Sequence, residues 1–318
     1  MGLGTLVIDV VLPVFNGYEY LEQQVASIAS QTLRPRRLLI RDDGSSERVL
    51  KLIHRLEAYY SPWLVVAPSQ GNVGCTLNVN ALLKYVEASY CALADQDDIW
   101  LPDKLERGFE ALQAIENRRG RNLPALVHTD LHLVDASLRP YGCTFMVRQQ
   151  LSPKFDSPSD LALTNIVTGC TALFNRALLD KAMPLPPEAL VHDWWLALVA
   201  SAYGEIGFIS RPSILYRQHQ SNAIGSHGLG FNYWLKRISQ WLFMPQRGGH
   251  TLEAIRQIEC FEARYGLVIS ILPVLIRHKK VQRLFCLLNT HVSKWPHKHG
   301  LFRTIALYVW LFRYEVVP

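Results

Sequence analysis

The first hundred residues repeat one local pattern: a short apolar run, a polar or turn-forming end, then a stretch with helical spacing. Leu6 to Leu12 is mostly β-branched and ends at Pro13. Arg37 to Arg41 ends at Asp42 and Asp43, and Trp63 to Ala67 and Tyr90 to Ala94 follow. Short, mainly apolar runs of this kind suit strands buried on both faces. Between them, Tyr20 to Gln31 sets Leu21, Val25, Ile28 and Ala29 at helical spacing. Ser45 to Tyr60 does the same with Val49, Leu52, Ile53 and Leu56, and Leu77 to Glu87 reads as a third helix. Strands alternating with helices through short loops predict an α/β fold with a mostly parallel central sheet and right-handed crossovers. Ligands in such sheets bind beyond the carboxyl ends of the strands. This chain places its polar clusters there: Pro13-Val14-Phe15-Asn16, Asp42-Asp43-Gly44-Ser45 and Asp95-Gln96-Asp97-Asp98.

After Leu126 the spacing changes. Val127 to Val134, Ala172 to Phe174 and Ile206 to Ile209 predict further strands between irregular stretches, and from Phe231 the chain reads as basic, aromatic-rich helices. The expected division is a domain over 1–225 and a C-terminal helical extension over 226–318. Charge follows the same division. Of a net +6, residues 231–318 hold 13 Lys+Arg against 4 Asp+Glu, leaving 20 against 23 for the rest. Basic residues beside aromatics, as in Tyr233-Trp234-Leu235-Lys236-Arg237 and Tyr308-Val309-Trp310-Leu311-Phe312-Arg313, suit an anionic membrane surface. They suit a packing face or a homodimer contact equally, and nucleic acid is the poorest fit. No apolar run reaches the ~20 residues of a spanning helix. The start lacks a basic n-region, and the six cysteines form no C-x-x-C pair. The expectation is reduced thiols in the cytoplasm, with peripheral contact on the cytoplasmic face of the membrane.

Asp95 and Asp97 alternate at a strand end and so face one side. Carboxylates this close repel unless a cation or hydrogen-bonded ligand lies between them. Mg²⁺ or Mn²⁺ prefers such oxygens and shares them with phosphates, where it neutralises a diphosphate leaving group. The competing use of Asp98, or of Asp103 after Pro102, is a helix N-cap. Asp42-Asp43-Gly44-Ser45 is either a turn or a set of acceptors for a base or ribose. Gly71-Asn72-Val73-Gly74 is a turn and lacks the lysine of a P-loop. His192-Asp193-Trp194-Trp195 can be an N-cap followed by core tryptophans. Cys170 has no evident base partner and reads as a small buried thiol.

As an ordered set, Pro13-Val14-Phe15-Asn16, Ser30-Gln31-Thr32, Asp42-Asp43-Gly44-Ser45, Asn72-x-Gly74 with Asn78, and Asp95-Gln96-Asp97-Asp98-Ile99-Trp100 resemble the family 2 glycosyltransferases of GT-A fold. That fold is the Rossmann-like fold of nucleotide-diphospho-sugar transferases. Asp-Gln-Asp-Asp and Tyr216-Arg217-Gln218-His219 resemble the rhamnosyltransferase-like branch, which uses dTDP-rhamnose; neighbouring branches use UDP-glucose or UDP-galactose. The resemblance implies that Pro13, Val14, Phe15 and Asn16 line a nucleobase pocket. Asp43 accepts from the pyrimidine N–H, and Asp42, Asn72, Asn78 and Gln96 bind the donor. Asp95 lies near the ribose and metal, Asp97 ligates Mn²⁺ or Mg²⁺, and Asp98 faces the sugar or orients the metal's ligands. His219 approaches the diphosphate or completes the metal site, and Arg217 could equally hold the diphosphate. Asp193 is the general base, and Gly169, Cys170, Trp194 and Trp195 lie on the acceptor side. His128-Thr129-Asp130 borders the donor sugar.

The implied activity is an inverting transfer onto a saccharide or lipid-linked saccharide acceptor in cell-surface polysaccharide synthesis. A sugar-nucleotide nucleotidyltransferase would carry a glycine-rich loop with Arg and Lys after the first strand, and Val14-Phe15-Asn16-Gly17-Tyr18 has none. A non-catalytic nucleotide-sugar-binding protein would be expected to have lost Asp97 or Asp193, and both are present.

Overall fold

The computed structural model describes residues 8–219 and 249–270, with the single residues 272 and 307. In the first part the elements alternate as β1 (Ile8–Val14), α1 (Leu21–Ala29), β2 (Arg37–Asp42), α2 (Glu47–Tyr60), β3 (Leu64–Val66), α3 (Cys75–Leu83) and β4 (Tyr90–Leu93). Then come β5 (Ile99–Trp100), α4 (Lys104–Arg119), β6 (Ala125–Thr129), β7 (His132–Asp135), β8 (Pro140–Thr144), α5 (Phe145–Gln149) and α6 (Pro158–Leu161). The last are β9 (Leu173–Asn175), α7 (Arg176–Ala182), α8 (His192–Tyr203), β10 (Glu205–Ile209), β11 (Ile214–Gln218) and α9 (Gly249–Tyr265).

The central sheet has seven strands in the order β10-β6-β9-β4-β1-β2-β3. All its pairs are parallel except those of β9 with β4 and β6. Ile8, Val10, Val11, Leu12 and Val14 on β1, with Leu38, Leu39 and Ile40 on β2, are all at most 1% exposed. Helices on both faces explain that continuous burial. Helix α2 covers its neighbours with Val49, Leu52, Ile53 and Leu56, and ends where Ser61-Pro62 cannot continue it. The expected α/β architecture with a mostly parallel sheet is present.

A second sheet of four strands, β5-β11-β7-β8, was not anticipated. It corrects the expectation of one strand over Val127 to Val134. Strand β6 stays in the central sheet and β7 joins the second one, because the chain breaks at Asp130, whose Oδ1 accepts from the Leu131 amide at 2.7 Å. Thr129 Oγ1 meets Ser213 Oγ at 2.7 Å and so ties the break to the lead-in of β11.

The chain divides into two compact units. The first holds the described residues through Phe145, then Val167–Pro187 and Val191 to His219. The second takes the internal segments Met146–Ile166 and Glu188–Leu190 with the described C-terminal residues. In the second unit α9 buries Ala254, Ile255, Ile258 and Phe261, and Glu262 accepts from the amides of Ile269 and Ser270. The basic aromatic segments at Tyr233–Arg237 and Tyr308–Arg313, expected to meet a membrane or a partner, lie outside the described residues. Among the described residues no helix is long and apolar enough to cross a membrane.

Candidate active site

The carboxyl ends of β1, β2 and β4 are tied into one rim by side chains from the polar clusters. The Gln96 amide pairs with Phe15 as a strand would, accepting from its N–H and donating to its carbonyl, both at 2.9 Å. A Cβ on Gly17 would come within 2.3 Å of Gln96 Oε1, so only glycine lets that amide lie down. Asn16, at φ 52°, donates its N–H to Ser45 Oγ at 2.8 Å and accepts from the Ser46 amide through Oδ1. Phe15 is left 48% exposed at the mouth of this rim.

Asp42 and Asp43 build the neighbouring turns. Asp42 Oδ2 accepts from the Gly44 and Ser45 amides at 2.9 Å, with Gly44 in the left-handed region at φ 85°. Asp43 is 3% exposed, and its two oxygens accept from the Val73 and Gly74 amides at 2.8 and 2.9 Å. The glycine loop is therefore fastened to β2 by a carboxylate, with Asn72 exposed at its tip. Asn78 is placed otherwise than expected: it is 1% exposed and braces Arg41, accepting from that guanidinium at 2.6 Å.

The acidic loop after β4 is held from beneath by α1. Gln24 donates to the Asp95 carbonyl at 2.8 Å, Ser27 Oγ accepts from the Trp100 amide, and Gln31 bridges the Leu101 carbonyl and the Leu105 amide. Of these, Gln31 was singled out only as part of the Ser30-Gln31-Thr32 helix end, and Gln24 and Ser27 were missed. Their signal was present, since polar residues at 24, 27 and 31 share the inward face of an otherwise apolar helix.

From the far end of the chain, β11 delivers Arg217 and His219. His219 Nε2 lies 2.9 Å from Asp97 Oδ2, and the His219 ring rests against Tyr20. Arg217 is 2% exposed and donates to the carbonyls of Asp97 and Ala136 and to Gln23 Oε1, with its guanidinium 4.3 Å from the Tyr20 ring. With those bonds made, it clamps the acidic loop.

Asp193 stands in the first turn of α8, and its charge reaches Asp95. A Cβ on Gly169 would approach Asp193 Oδ2 to 3.0 Å, so the carboxylate lies directly over that glycine. Cys170, next in the chain, is wholly buried, and one ligand atom from each of Asp95, Asp98 and Cys170 falls within 4.8 Å of the others. The expected acceptor-side role is corrected for Cys170, Trp194 and Trp195. All are buried, Trp194 at 3% and Trp195 at 0%, and the Trp195 indole donates to the Ala182 carbonyl. They form the floor and wall, not a face open to a sugar.

The electrostatics follow from this crowding. Burial pushes the Asp95 carboxyl up to about 7, with the charges of Asp97 and Asp193 adding to it. Burial likewise raises Asp98 and Cys170, each also facing neighbouring carboxylates. Asp98 is 0% exposed. Its Oδ1 accepts from the Arg217 amide, and the Cys170 thiol hydrogen-bonds to its carboxylate. A loop that holds carboxylates apart from neutralising partners is suited to a cation or a ligand with several donors.

A family model described as Glycosyl transferase family 2 matches residues 9–182, which span β1 to α7. The chain belongs to that family. This family 2 chain is 25% identical to the dTDP-rhamnosyl transferase RfbG of Shigella flexneri over 236 residues, covering 71% of this chain and 78% of the relative. It is 21% identical to the uncharacterized glycosyltransferase RP339 of Rickettsia prowazekii, covering 96% of each. Among solved structures it is similar to S. aureus TarS 1-349 in complex with UDP-GlcNAc. The TM-score is 0.52 at 15% identity, covering 82% of this chain and 73% of that one. It is also similar to the mannosyltransferase PcManGT from Pyrobaculum calidifontis in complex with GDP-Man and Mn²⁺, with TM-score 0.52 at 18% identity, covering 78% and 64%. These likenesses establish the GT-A fold.

Proposed function

We propose that this family 2 chain transfers a sugar, with inversion, from a nucleotide diphosphate donor to a saccharide or lipid-linked saccharide acceptor. The observation that carries the reading is the convergence of Asp97 and His219, 122 residues apart, at 2.9 Å on the rim where the polar strand ends meet. A carboxylate and an imidazole aimed at each other, beside the buried Asp98 carboxylate, are a donor set suited to Mn²⁺ or Mg²⁺. Asp97 and His219 would hold the ion, with Asp95 beside them. When bound, such an ion neutralises the charge developing on the leaving diphosphate.

The chain's own residues supply the rest. Phe15 at the rim, with Asn16 and Asn72, would line the base, and Asp43 would meet it while holding the glycine loop. Asp193, in the first turn of α8, would take the proton of the attacking acceptor hydroxyl, an effect of ~10²–10⁴-fold. We favour a single displacement, which needs only this one base on the acceptor side. As donor we favour dTDP-rhamnose, supported by the Asp95-Gln96-Asp97-Asp98 form and by the RfbG relative's name. Support for Mn²⁺ comes from the PcManGT complex of the same fold.

The test is a thermal-shift panel of dTDP-rhamnose, UDP-glucose, UDP-galactose, UDP-GlcNAc and GDP-mannose, each with Mn²⁺ and with EDTA. Binding to the native state raises stability by ~2.7 kcal/mol at a hundredfold excess over Kd. A Mn²⁺-dependent shift with dTDP-rhamnose alone is expected. An equal shift with every donor, or one insensitive to EDTA, would overturn the donor or the metal assignment respectively.

A further inference from the structure

Helix α4 opens on a lysine that the reaction just described leaves unused. Lys104, its first residue, is 4% exposed, and among the described residues its ammonium enters no ion pair. It lies instead over the Trp100 ring, 4.1 Å from the centroid. Side chains four apart share a helix face, and Gly108, one turn on, packs so closely on Leu173 that a Cβ there would come within 2.9 Å of it. Lys104 therefore faces the segment that runs from Cys170 to Leu173, and the Cys170 thiol in turn hydrogen-bonds the Asp98 carboxylate. Burial lowers the ammonium to about 8, while Cys170 and the charge of Asp98 hold it up. The neighbouring cation, Arg107, is answered by Asp103 at 3.0 Å. A buried ammonium without a carboxylate partner costs stability that an apolar side chain of the same length would not.

We propose that Lys104 sets how tightly the acidic loop grips a cation: it is a fixed positive charge behind Asp98 that opposes an ion held by Asp97 and His219. The inference rests on the metal reading above. In a buried, poorly screened setting, like charges repel over several ångströms, so the ammonium need not touch the ion to weaken its hold. The loop brings three carboxylates to one place, and Lys104 lowers the negative charge that a cation meets there by one. That keeps the grip weak enough to be released at each turnover. Natural proteins retain such costly groups where function needs them. Lys104 acts through the charge it sets beside Asp98, which makes it a positioning residue.

The probe is Mn²⁺ alone, titrated into the metal-free full chain with no donor present, the free ion being read by its electron paramagnetic resonance. Lys104→Met keeps a stem over Trp100 and removes the charge, and it should bind Mn²⁺ ~3–10-fold more tightly than the wild type. Lys104→Arg keeps the charge and should stay within about twofold of the wild type. The denaturant midpoint of Lys104→Met should not fall, since a desolvated charge has gone. Should Lys104→Met fail to fold, Lys104→Gln takes its place. A folded neutral variant that binds Mn²⁺ no more tightly than the wild type would overturn the inference and leave Lys104 a packing residue. An arginine variant that gains as much as the neutral one would overturn it too. A wild type that binds no Mn²⁺ defeats the metal reading and this inference with it, whereas equal binding by wild type and neutral variant defeats this inference alone.

Discussion

The two ends of the central sheet both bury carboxylates, and they treat them in opposite ways. At the amino end of β1, Asp9 is 0% exposed and fully answered. Arg37 reaches it at 3.0 Å and Arg36 at 3.3 Å, and it accepts from the Glu87 and Ala88 amides. At the carboxyl ends, Asp95, Asp97 and Asp98 crowd one loop, the charge of Asp193 on α8 reaches Asp95, and the buried Asp98 carboxylate meets no cationic side chain in a salt bridge among the described residues. Among the described residues the guanidinium of Arg217 turns to the carbonyls of Asp97 and Ala136. A satisfied buried acid serves stability, whereas unsatisfied acids hold free energy that a ligand can release. The functional end is thus recognisable by what it lacks.

The largest effects should come from breaking the unsatisfied end. Asp97→Asn should abolish turnover and remove the EDTA-sensitive part of the donor-induced thermal shift. Asp193→Asn should lower turnover by ~10²–10⁴-fold while leaving donor affinity nearly unchanged. Wild-type turnover in Asp193→Asn would show that another group takes the acceptor proton.

The comparison sharpens when stability is read instead of activity. Asp9→Asn leaves two arginines and two amides short of a charge, and should cost roughly 3 kcal/mol in denaturant unfolding. Asp98→Asn removes a like charge from a crowded loop and keeps an acceptor for the Arg217 amide. It should cost less than about 1 kcal/mol or raise stability. Equal losses in the two variants would mean that both ends are structural.

His128 offers a third case, a buried base with neither nitrogen hydrogen-bonded among the described residues. Burial lowers it from 6.5 to about 4. Because the folded value lies below the unfolded one, its effect on stability is level above pH 6.5, and stability falls as pH drops from 6.5 toward 4. The full loss is about 3 kcal/mol, at ~1.4 kcal/mol per unit. His128→Gln should flatten that slope in unfolding measured at pH 7 and pH 5. An unchanged slope would assign the acid sensitivity to other groups.

The alternation of β1 to β4 with α1 to α3 was legible because each element declares itself within a dozen residues. The second sheet was not, since β5 is only Ile99–Trp100 and its partner Ile214–Leu215 lies more than a hundred residues away. The same division holds at the site. The spacing of Asp95, Asp97 and Asp98 shows in sequence. Whether Arg217 faces a ligand or Ala136, and whether Cys170 lies under two carboxylates, depends on tertiary pairing that no local pattern carries. Trp194 and Trp195 show the risk directly: the reading of an Asp193 cap with core tryptophans stood beside the acceptor-side one, and the tryptophans are buried although the helix is led by Val191 and not capped by Asp193.

The smallest expected effect lies in the ties that hold the functional rim in shape. Gly17→Ala would set a methyl 2.3 Å from Gln96 Oε1, and the flexible Gln96 side chain would swing off the Phe15 backbone. Two exposed hydrogen bonds between the β1 and β4 loops would then break, at ~0.5–1.5 kcal/mol each. We expect about 1–2 kcal/mol lower stability and a severalfold weaker donor Kd with turnover at saturation little changed, since the Asp97–His219 pair is fastened separately by Tyr20 and β11. A double variant with Gln96→Ala should restore folding stability toward that of Gln96→Ala alone, because the methyl then has room. If Gly17→Ala instead lowered saturated turnover as far as Asp97→Asn does, the rim and the acidic loop would be one unit, and the separation of a binding rim from a reactive loop would have to be given up.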